Sequence, residues 1–338
     1  VKNKKIFLAL SAGDDSRLVA CMLKKYNFKV ICFSYGLDNN WEASFAKKLS
    51  KKLGFKHYNI LIESKKVRKF FLSKEFKKYF DDYNNFDSVP SIHEIYVLKL
   101  LKNLNRQKVP IIMNGQPADG INGSYISKKF FSKKNYINDV FSEIIKKHYS
   151  LWPQKLDLDS IKLIKKYVMD EYKVYDKNKI KHPYQLMLFH SYQNRICKYL
   201  MKNYQVYENF NFNWFSPYMD FRFVNFWFSI PHKFHLNRNL SKKILSEINL
   251  FDLWRQNVKK NNNLSFKINT LRNFSKLFFL FNIKKWKIFD RKNFLYLNDN
   301  QLKTHIVSKL RWKNTKNFRS PISFLAAKWL NINPKDIQ

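Results

Sequence analysis

Residues 4–17 read KKIFLALSAGDDSR, an apolar run followed directly by a short polar loop. The apolar run is continuous rather than alternating, which is typical of a strand buried on both faces of a parallel sheet. The loop holds Gly13 between Ser11 and Ser16, and a helical pattern begins at Ser16. A strand, a tight polar loop and a helix N-terminus in this order predict a phosphate site, because backbone N–H groups and the helix dipole supply positive potential there.

The same loop carries two adjacent carboxylates, Asp14 and Asp15. A carboxylate beside a phosphate is repulsive unless a cation lies between them, so Asp15 is a candidate ligand for Mg²⁺ on a triphosphate. The alternative is that both aspartates simply cap the helix that follows. The Walker A pattern GxxxxGK[ST] is absent, which excludes that class of phosphate loop.

Strands and helices alternate through the first third of the chain. Continuous apolar runs predict strands over residues 6–10, 29–35, 57–62 and 109–113. Helical spacing predicts helices over residues 16–25 and 41–53, and a capping box with Glu94 as the partner of Ser91 predicts a third helix to about residue 104. This order predicts an α/β fold with a doubly wound parallel sheet, in which ligands bind beyond the carboxyl ends of the strands.

The character of the sequence changes after about residue 131, where aromatic residues rise and long helical patterns replace the strands. We therefore expect a nucleotide-binding α/β domain over residues 1–130 and a mostly helical second lobe over residues 131–338. Within the second lobe, residues 255–338 are basic and remain unassigned.

The chain of 338 residues carries 64 Lys and Arg against 25 Asp and Glu, a formal net charge of +39. Such a charge indicates a polyanion partner, either nucleic acid or an anionic membrane surface. The lysines are spread along the whole chain, which favours compositional drift over a selected binding face, so nucleic acid is an alternative that we do not favour. No apolar run has the length of a transmembrane segment, and the three cysteines form no CxxC pair, so we expect a cytoplasmic protein.

A family resemblance emerges from the loop SAGDDS at residues 11–16, which resembles the SGGxDS signature of the PP-loop, or N-type, ATP pyrophosphatases. Further segments resemble the synthetase domain of asparagine synthetases and occur in the same order: FSYG at 33–36, NGQPADGINGSY at 114–125, FSPYMDFRFVNFWFSIPHKFHL at 215–236 and SKKIL at 241–245. Together they cover about residues 5–250. The DSR variant of the first loop is similar to asparagine-synthase-like proteins of bacterial surface-polysaccharide gene clusters, which are thought to amidate sugar carboxylates.

The resemblance implies a PP-loop sheet that binds ATP and Mg²⁺. The residues implied to line the adenosine are Leu10, Tyr35, Asn114 and Gly115, and those implied to hold the pyrophosphate end are Ser11, Gly13, Asp15 and Ser16. The implied Mg²⁺ ligands are Asp15 and Asp119. Lys242 matches the family lysine that stabilises charge at the α-phosphate, with the neighbouring Lys243 as the alternative.

Several positions depart from the family pattern. Gln116 stands where the family has a glutamate, and Gly120 replaces a second one. An amide cannot act as a general base, so Gln116 is a catalytic position with altered chemistry. Arg17 has two interpretations, a bidentate clamp on an anionic acceptor or a surface arginine. The candidate catalytic residues are therefore Lys242, Asp15, Gln116 and Arg17.

The resemblance implies that the chain is an ATP-dependent, AMP-forming carbon–nitrogen ligase that adenylates an acceptor carboxylate and then transfers ammonia. The acceptor is aspartate or a sugar carboxylate, and the ammonia is expected free, from a separate glutaminase subunit, or from a glutaminase domain missing before Val1. One alternative is a PP-loop tRNA-modifying enzyme, which the net charge favours and the lack of a cysteine pair disfavours. Another is a non-catalytic nucleotide-binding subunit, which the changes at Gln116 and Gly120 suggest.

Overall fold

The computed structural model describes residues 5–36, 40–82, 89, 92, 94–104, 109–124, 126, 137–152, 156–174, 183–254, 266–279, 282, 283, 285, 286, 289, 323, 326, 327 and 329–332. Ser91, which was predicted to cap the third helix, and the predicted domain boundary at residue 130 lie outside these ranges. So does most of the segment 255–338.

Five parallel strands form one sheet in the order β3-β2-β1-β4-β5. The strands are β1 (Ile6–Ala9), β2 (Val30–Gly36), β3 (Lys56–Leu61), β4 (Ile111–Met113) and β5 (Asn213–Trp214). The chain enters at the central strand, moves outward to β3 and then crosses back to β4 beside β1. This order confirms the predicted α/β fold with a doubly wound parallel sheet.

The helices between β1 and β4 are α1 (Asp14–Lys25), α2 (Trp41–Leu53), α3 (Ser64–Phe71), α4 (Lys74–Asp82) and α5 (Ile95–Leu104). Beyond β4 follow α6 (Ala118–Ile121), α7 (Ile137–His148), α8 (Leu158–Val174), α9 (Pro183–His190), a π-helix (Ser191–Met201), α10 (Gln205–Glu208), α11 (Phe221–Ser229), α12 (Asn239–Ile248) and α13 (Phe266–Leu277). Short 3₁₀ turns lie at Lys202–Tyr204, Pro217–Met219, His232–Phe234, Leu236–Arg238 and Leu250–Asp252. The part described beyond residue 131 is thus mostly helical, as predicted.

The central strand β1 faces a separate apolar core on each side. Phe7 packs into a cluster with Phe33, Leu98 and Phe212, whereas Leu8 packs on the other side of the sheet. Both side chains are completely or almost completely buried. Because successive strand residues point to opposite faces, a continuous apolar run is required where both faces are covered.

The fifth strand was not predicted from the sequence. Asn213 and Trp214 pair in parallel with Ile111 and Ile112 of β4, so the second half of the chain returns to extend the sheet. A strand of two residues is too short to show any periodicity, and its position follows from the sheet edge that β4 offers.

A glycine fixes the loop after β4 against the helical half of the molecule. Gly123 has φ 121°, and a Cβ atom added there would lie 2.4 Å from the carbonyl oxygen of His235. An L-residue at this position is therefore excluded both by its backbone conformation and by the neighbouring main chain.

Among the described residues, no helix combines the length and the apolar character needed to cross a bilayer.

We expect Gly123→Ala to lower the free energy of unfolding by about 3 kcal/mol or more, because backbone strain adds to a steric overlap with His235. The matched control is Gly54→Ala: Gly54 also has a positive φ, 72°, but an added Cβ would meet nothing closer than Lys24 Nζ at 3.5 Å. The control should lose about 1–2 kcal/mol. Equal losses in urea unfolding of the two variants would contradict the close contact at Gly123.

Candidate active site

A cavity of about 420 Å³ opens at the carboxyl ends of β1, β2 and β4. Every residue that the resemblance assigns to the nucleotide or the metal lines this cavity: Leu10, Ser11, Gly13, Asp15, Ser16, Tyr35, Asn114, Gly115 and Asp119. Gln116 also lines it, together with Glu42 and Glu94, which the sequence analysis did not assign. The position of the cavity follows the general rule for open parallel sheets.

The two polar loops that form the cavity touch each other through their backbones. A Cβ atom on Gly115 would lie 2.6 Å from the backbone nitrogen of Ser16 and 3.1 Å from the Cβ of Asp15. Only glycine permits this approach without a shift of the first turn of α1. Residues separated by about a hundred positions in the sequence are thereby joined into one wall.

The first loop is organised by its two serines. Ser16 Oγ accepts a hydrogen bond from the backbone N–H of Ser11 at 3.1 Å, and Ser11 Oγ accepts one from the N–H of Gly13 at 3.1 Å. Gly13 is the N-cap residue of α1, and no side chain caps this helix end. The capping alternative for Asp14 and Asp15 is therefore wrong, since both lie inside the first turn.

The two adjacent aspartates have different surroundings. Asp14 accepts a hydrogen bond from Trp254 Nε1 at 3.2 Å and lies 3.7 Å from Arg17 Nη1, away from the cavity lining. Asp15 faces the cavity and forms an ion pair with Arg238, whose Nη2 donates to Asp15 Oδ1. One carboxylate thus serves packing around α1, and the other is presented to a ligand.

Burial raises the pKa of Asp15 to about 6, although the Arg238 guanidinium lowers it; the nearby charges of Asp119 and Asp14 raise it further. The backbone carbonyl of Asp15 accepts a hydrogen bond from the Tyr218 hydroxyl at 2.7 Å, so the segment 217–219 braces this residue. Arg238 and Tyr218 were not identified from the sequence as site residues. The family resemblance of the FSPYMD segment could have identified Tyr218 as a site residue. No sequence pattern indicates that Arg238 pairs with Asp15.

The donor set fits a magnesium ion. Mg²⁺ in nucleotide sites is held by one or two carboxylates together with substrate phosphates and water. Asp15 and Asp119 come from the two loops and interact electrostatically across the cavity. Among the residues that the structure describes, no group of three or more His, Cys, Asp or Glu side chains is arranged as a metal site of protein ligands alone.

A hydrogen-bonded tyrosine network holds Glu94 at the other end of the cavity. Tyr35 donates to Glu94 Oε1 at 3.2 Å, and Tyr207 donates to Oε2 at 2.5 Å. Asn114 Nδ2 in turn donates to the Tyr207 hydroxyl at 3.1 Å, and Asn114 Oδ1 accepts from Tyr204 at 2.6 Å. Burial raises the pKa of Glu94, and the two tyrosine hydrogen bonds oppose that shift. Both carboxylate oxygens of Glu94 thus accept hydrogen bonds from tyrosines. Glu94 orients Tyr35 directly and orients Asn114 by way of Tyr207.

Arg17 neither lies at the surface nor lines the cavity, so the structure corrects both interpretations from the sequence. Its side chain is 3% exposed; Nη1 donates to the carbonyl of Leu253 at 3.0 Å and Nη2 to that of Ala12 at 2.8 Å. The guanidinium lies over the rings of Phe45 and Trp254, at 5.2 and 5.4 Å. Arg17 therefore ties the segment around Leu253 to the first loop, and it is not a clamp for an acceptor.

The structure does not bring Lys242 to the cavity. Lys242 and Lys243 are both exposed on α12 and absent from the cavity lining, and Lys243 Nζ lies 3.8 Å from Glu247. The motif SKKIL predicts that Lys242 reaches the nucleotide, but among the described residues Lys242 does not line the cavity. The cation that reaches the first loop from this part of the chain is Arg238, which precedes α12.

We expect Arg17→Lys to lower the free energy of unfolding by about 2–4 kcal/mol, because an ammonium cannot replace a planar fork that bridges two carbonyls between aromatic rings. The matched control is Arg195→Lys, since Arg195 is exposed and lies 5.8 Å over the ring of Tyr199. That variant should change by less than about 0.5 kcal/mol in urea unfolding. A small effect at both positions would show that Arg17 is not a structural tie.

Asp15 should make stability depend on pH in a defined direction. An acid whose pKa is raised by folding stabilises the protein below its unfolded pKa of 3.8, and this contribution is lost as the pH rises through about 6. In Asp15→Asn the contribution is absent. From pH 4 to pH 7 the wild type should therefore lose on the order of 3 kcal/mol relative to Asp15→Asn, measured by urea unfolding of both proteins. Parallel curves for the two proteins would contradict a buried, proton-binding Asp15.

Comparison with known proteins places the chain in a family. Among solved structures, a "predicted subunit of tRNA methyltransferase" from Methanocaldococcus jannaschii matches with 18% identity over 48% of this chain and 73% of its own, at a TM-score of 0.23. No curated protein matches the chain. The family model described as asparagine synthase matches residues 2–249. The chain therefore belongs to the asparagine synthase family, a family of ATP-dependent PP-loop synthetases.

Proposed function

We propose that this protein is an ATP-dependent, AMP-forming amide synthetase. An oxygen of an acceptor carboxylate attacks the α-phosphorus of ATP, the bond to the β-phosphate breaks and pyrophosphate leaves. Ammonia then attacks the carbonyl carbon of the adenylated acceptor, the bond to the phosphate oxygen breaks, and AMP leaves while the nitrogen loses a proton. Bond making and bond breaking balance in both steps without a redox partner.

The observation that carries this proposal is the convergence of the loops 11–16 and 114–119 on one cavity. The uncapped N-terminus of α1 supplies backbone N–H groups and a positive dipole for the phosphates, next to the hydroxyls of Ser11 and Ser16. Tyr35 and Asn114 line the other end, where they would contact the adenosine. Catalysis in such a site consists mainly of positioning and charge neutralisation.

We propose that Asp15 and Asp119 would hold Mg²⁺, which would supply positive charge to neutralise the phosphates of the nucleotide. These two residues are far apart in the sequence, and the contact of Gly115 with Ser16 brings their loops together. Gln116 lines the same cavity, where its amide can donate and accept hydrogen bonds but cannot take up a proton from ammonium. The nitrogen donor must therefore arrive as ammonia, or arrive as ammonium and lose a proton to another group or to solvent before it attacks.

Aspartate and a sugar carboxylate are both retained as acceptors. Each presents a carboxylate that must approach the α-phosphate, and a net charge of +39 would attract either anion or a larger one. The polyanion tRNA is the substrate of the competing function, a PP-loop tRNA-modifying enzyme. Ammonia would come from solution, from a separate glutaminase subunit or from a further domain.

The test is release of AMP and pyrophosphate from Mg·ATP and ammonium with three acceptor pools supplied separately: aspartate, nucleotide-linked uronic sugars and bulk tRNA. We expect AMP formation that depends on aspartate or on the sugars. Dependence on tRNA alone would replace the proposal with the tRNA-modifying function. ATP binding without AMP in any pool would favour a nucleotide-binding subunit.

In the same assay, Asp15→Asn and Asp119→Asn should each reduce pyrophosphate release by about 100-fold or more, because each removes a carboxylate from the proposed metal site. Asp159→Asn is the matched control, since Asp159 is 91% exposed and pairs with Lys162 on α8, outside the cavity lining. It should retain full activity. Far-ultraviolet circular dichroism checks that all three variants fold, and full activity in Asp119→Asn would remove that residue from the metal site.

A further inference from the structure

Arg238 reaches the phosphate loop from a distant part of the chain. It lies at the junction between the 3₁₀ turn Leu236–Arg238 and α12, with φ 59°, and its backbone N–H donates to the carbonyl of His235 at 2.9 Å. Its Nη2 atom donates to Asp15 Oδ1, 223 positions earlier in the sequence. The side chain is 21% exposed, so the ion pair is largely shielded from water.

The backbone that carries Arg238 is held against the second loop of the cavity. The carbonyl oxygen of His235 lies 2.4 Å from the place where a Gly123 Cβ would be, so the two main chains are in contact. Asn122 Nδ2 donates to Ser241 Oγ at 3.4 Å on the other side of Arg238. Arg238 is thus fixed next to both Asp15 and the loop that carries Asp119.

The guanidinium of Arg238 is incompletely satisfied in this arrangement. Among the described residues its Nε is buried without a hydrogen-bond partner, and its recorded bond is to a single oxygen of Asp15. A guanidinium carries five N–H donors in a planar fork that matches two oxygens of a carboxylate or phosphate group. Donor capacity therefore remains beside a cavity whose first loop has the geometry of a phosphate site.

The Asp15 carboxylate cannot bind a metal ion and keep its full ion pair with Arg238 at the same time. A cation bound to the Asp15 carboxylate repels the guanidinium and competes for the same oxygens. The released guanidinium would remain beside the first loop, because its backbone is held by Gly123 and Ser241. The anion that arrives there with the cation is the polyphosphate chain of the nucleotide.

We propose that Arg238 is a pyrophosphate-binding residue that exchanges partners: it pairs with Asp15 when no nucleotide is bound and with the β- and γ-phosphates when Mg·ATP is bound. This inference rests on the proposed function, since it takes the cavity to be a nucleotide site. In the first chemical step Arg238 donates to the oxygens of the leaving pyrophosphate, where negative charge accumulates as the bond to the α-phosphorus breaks. After the step it holds the product, so release of pyrophosphate restores the ion pair with Asp15.

The test uses isothermal titration calorimetry on the full chain with Mg²⁺ and three separate ligands: α,β-methylene-ATP, inorganic pyrophosphate and AMP. We expect Arg238→Gln to weaken binding of α,β-methylene-ATP and pyrophosphate by about 10–100-fold, the value of a charge-assisted hydrogen bond, and to change AMP binding by less than about twofold. Arg238→Lys, which keeps the charge but loses the fork, should give an intermediate loss. The matched control is Arg222→Gln, because Arg222 is 89% exposed and pairs with Asp220 on α11.

Unchanged pyrophosphate binding in Arg238→Gln, with the wild type binding all three ligands, would overturn the role of Arg238 and leave the proposed function intact. An equal loss for AMP would assign Arg238 to the nucleoside or to the fold instead. Failure of the wild-type chain to bind any of the three ligands would overturn the nucleotide site itself, and with it both proposals. Urea unfolding of each variant separates a local loss of binding from loss of structure.

Discussion

The contact between the backbone of Gly115 and the first turn of α1 is the constraint on which the rest of the site depends. It joins the loops that follow β1 and β4, two strands that are neighbours in the sheet although more than a hundred residues separate them. Parallel strands deliver their carboxyl ends to the same edge, so polar loops that follow them are brought together without any interaction of their own. The absence of a side chain at Gly115 then lets the main chains touch, which brings Asp15 and Asp119 to the lining of one cavity.

The cavity is lined by acidic side chains, whereas the chain as a whole is strongly basic. In a protein with a net charge of +39, the cavity is lined by four carboxylates, Asp15, Glu42, Glu94 and Asp119. Within the described part of the chain, Arg238 offsets the charge of Asp15 and two tyrosine hydroxyls solvate Glu94. Such a cavity attracts an anion most strongly when a divalent cation accompanies it, as a nucleotide with Mg²⁺ would.

The helical half of the chain supports the loops of the cavity from behind, although the residues that line the cavity all lie between Ala9 and Asp119. Tyr218 donates to the carbonyl of Asp15, Ser216 donates to that of Gln116 at 2.8 Å, and the carbonyl of Leu253 accepts from Arg17. Arg238 adds an ion pair to the same loop. Four contacts from residues 216–253 therefore brace loops that belong to the first half. A change in the position of residues 216–253 would therefore shift the phosphate loop even if the sheet did not change.

The sequence by itself determined the strands β1 to β4, the parallel sheet, the two polar loops and ten of the seventeen residues that line the cavity. These features can be predicted because each depends on residues that are close together in the sequence: continuous apolar runs, a glycine within a polar loop, and short motifs. The tertiary structure alone decided the strand β5, the pairing of Arg238 with Asp15, the tyrosine network around Glu94, the burial of Arg17 and the exposure of Lys242. Those outcomes depend on which distant segments pack together. A side chain's partner 90 or more positions away, as for Asn114 with Tyr204 or Asp15 with Arg238, leaves no local pattern in the sequence.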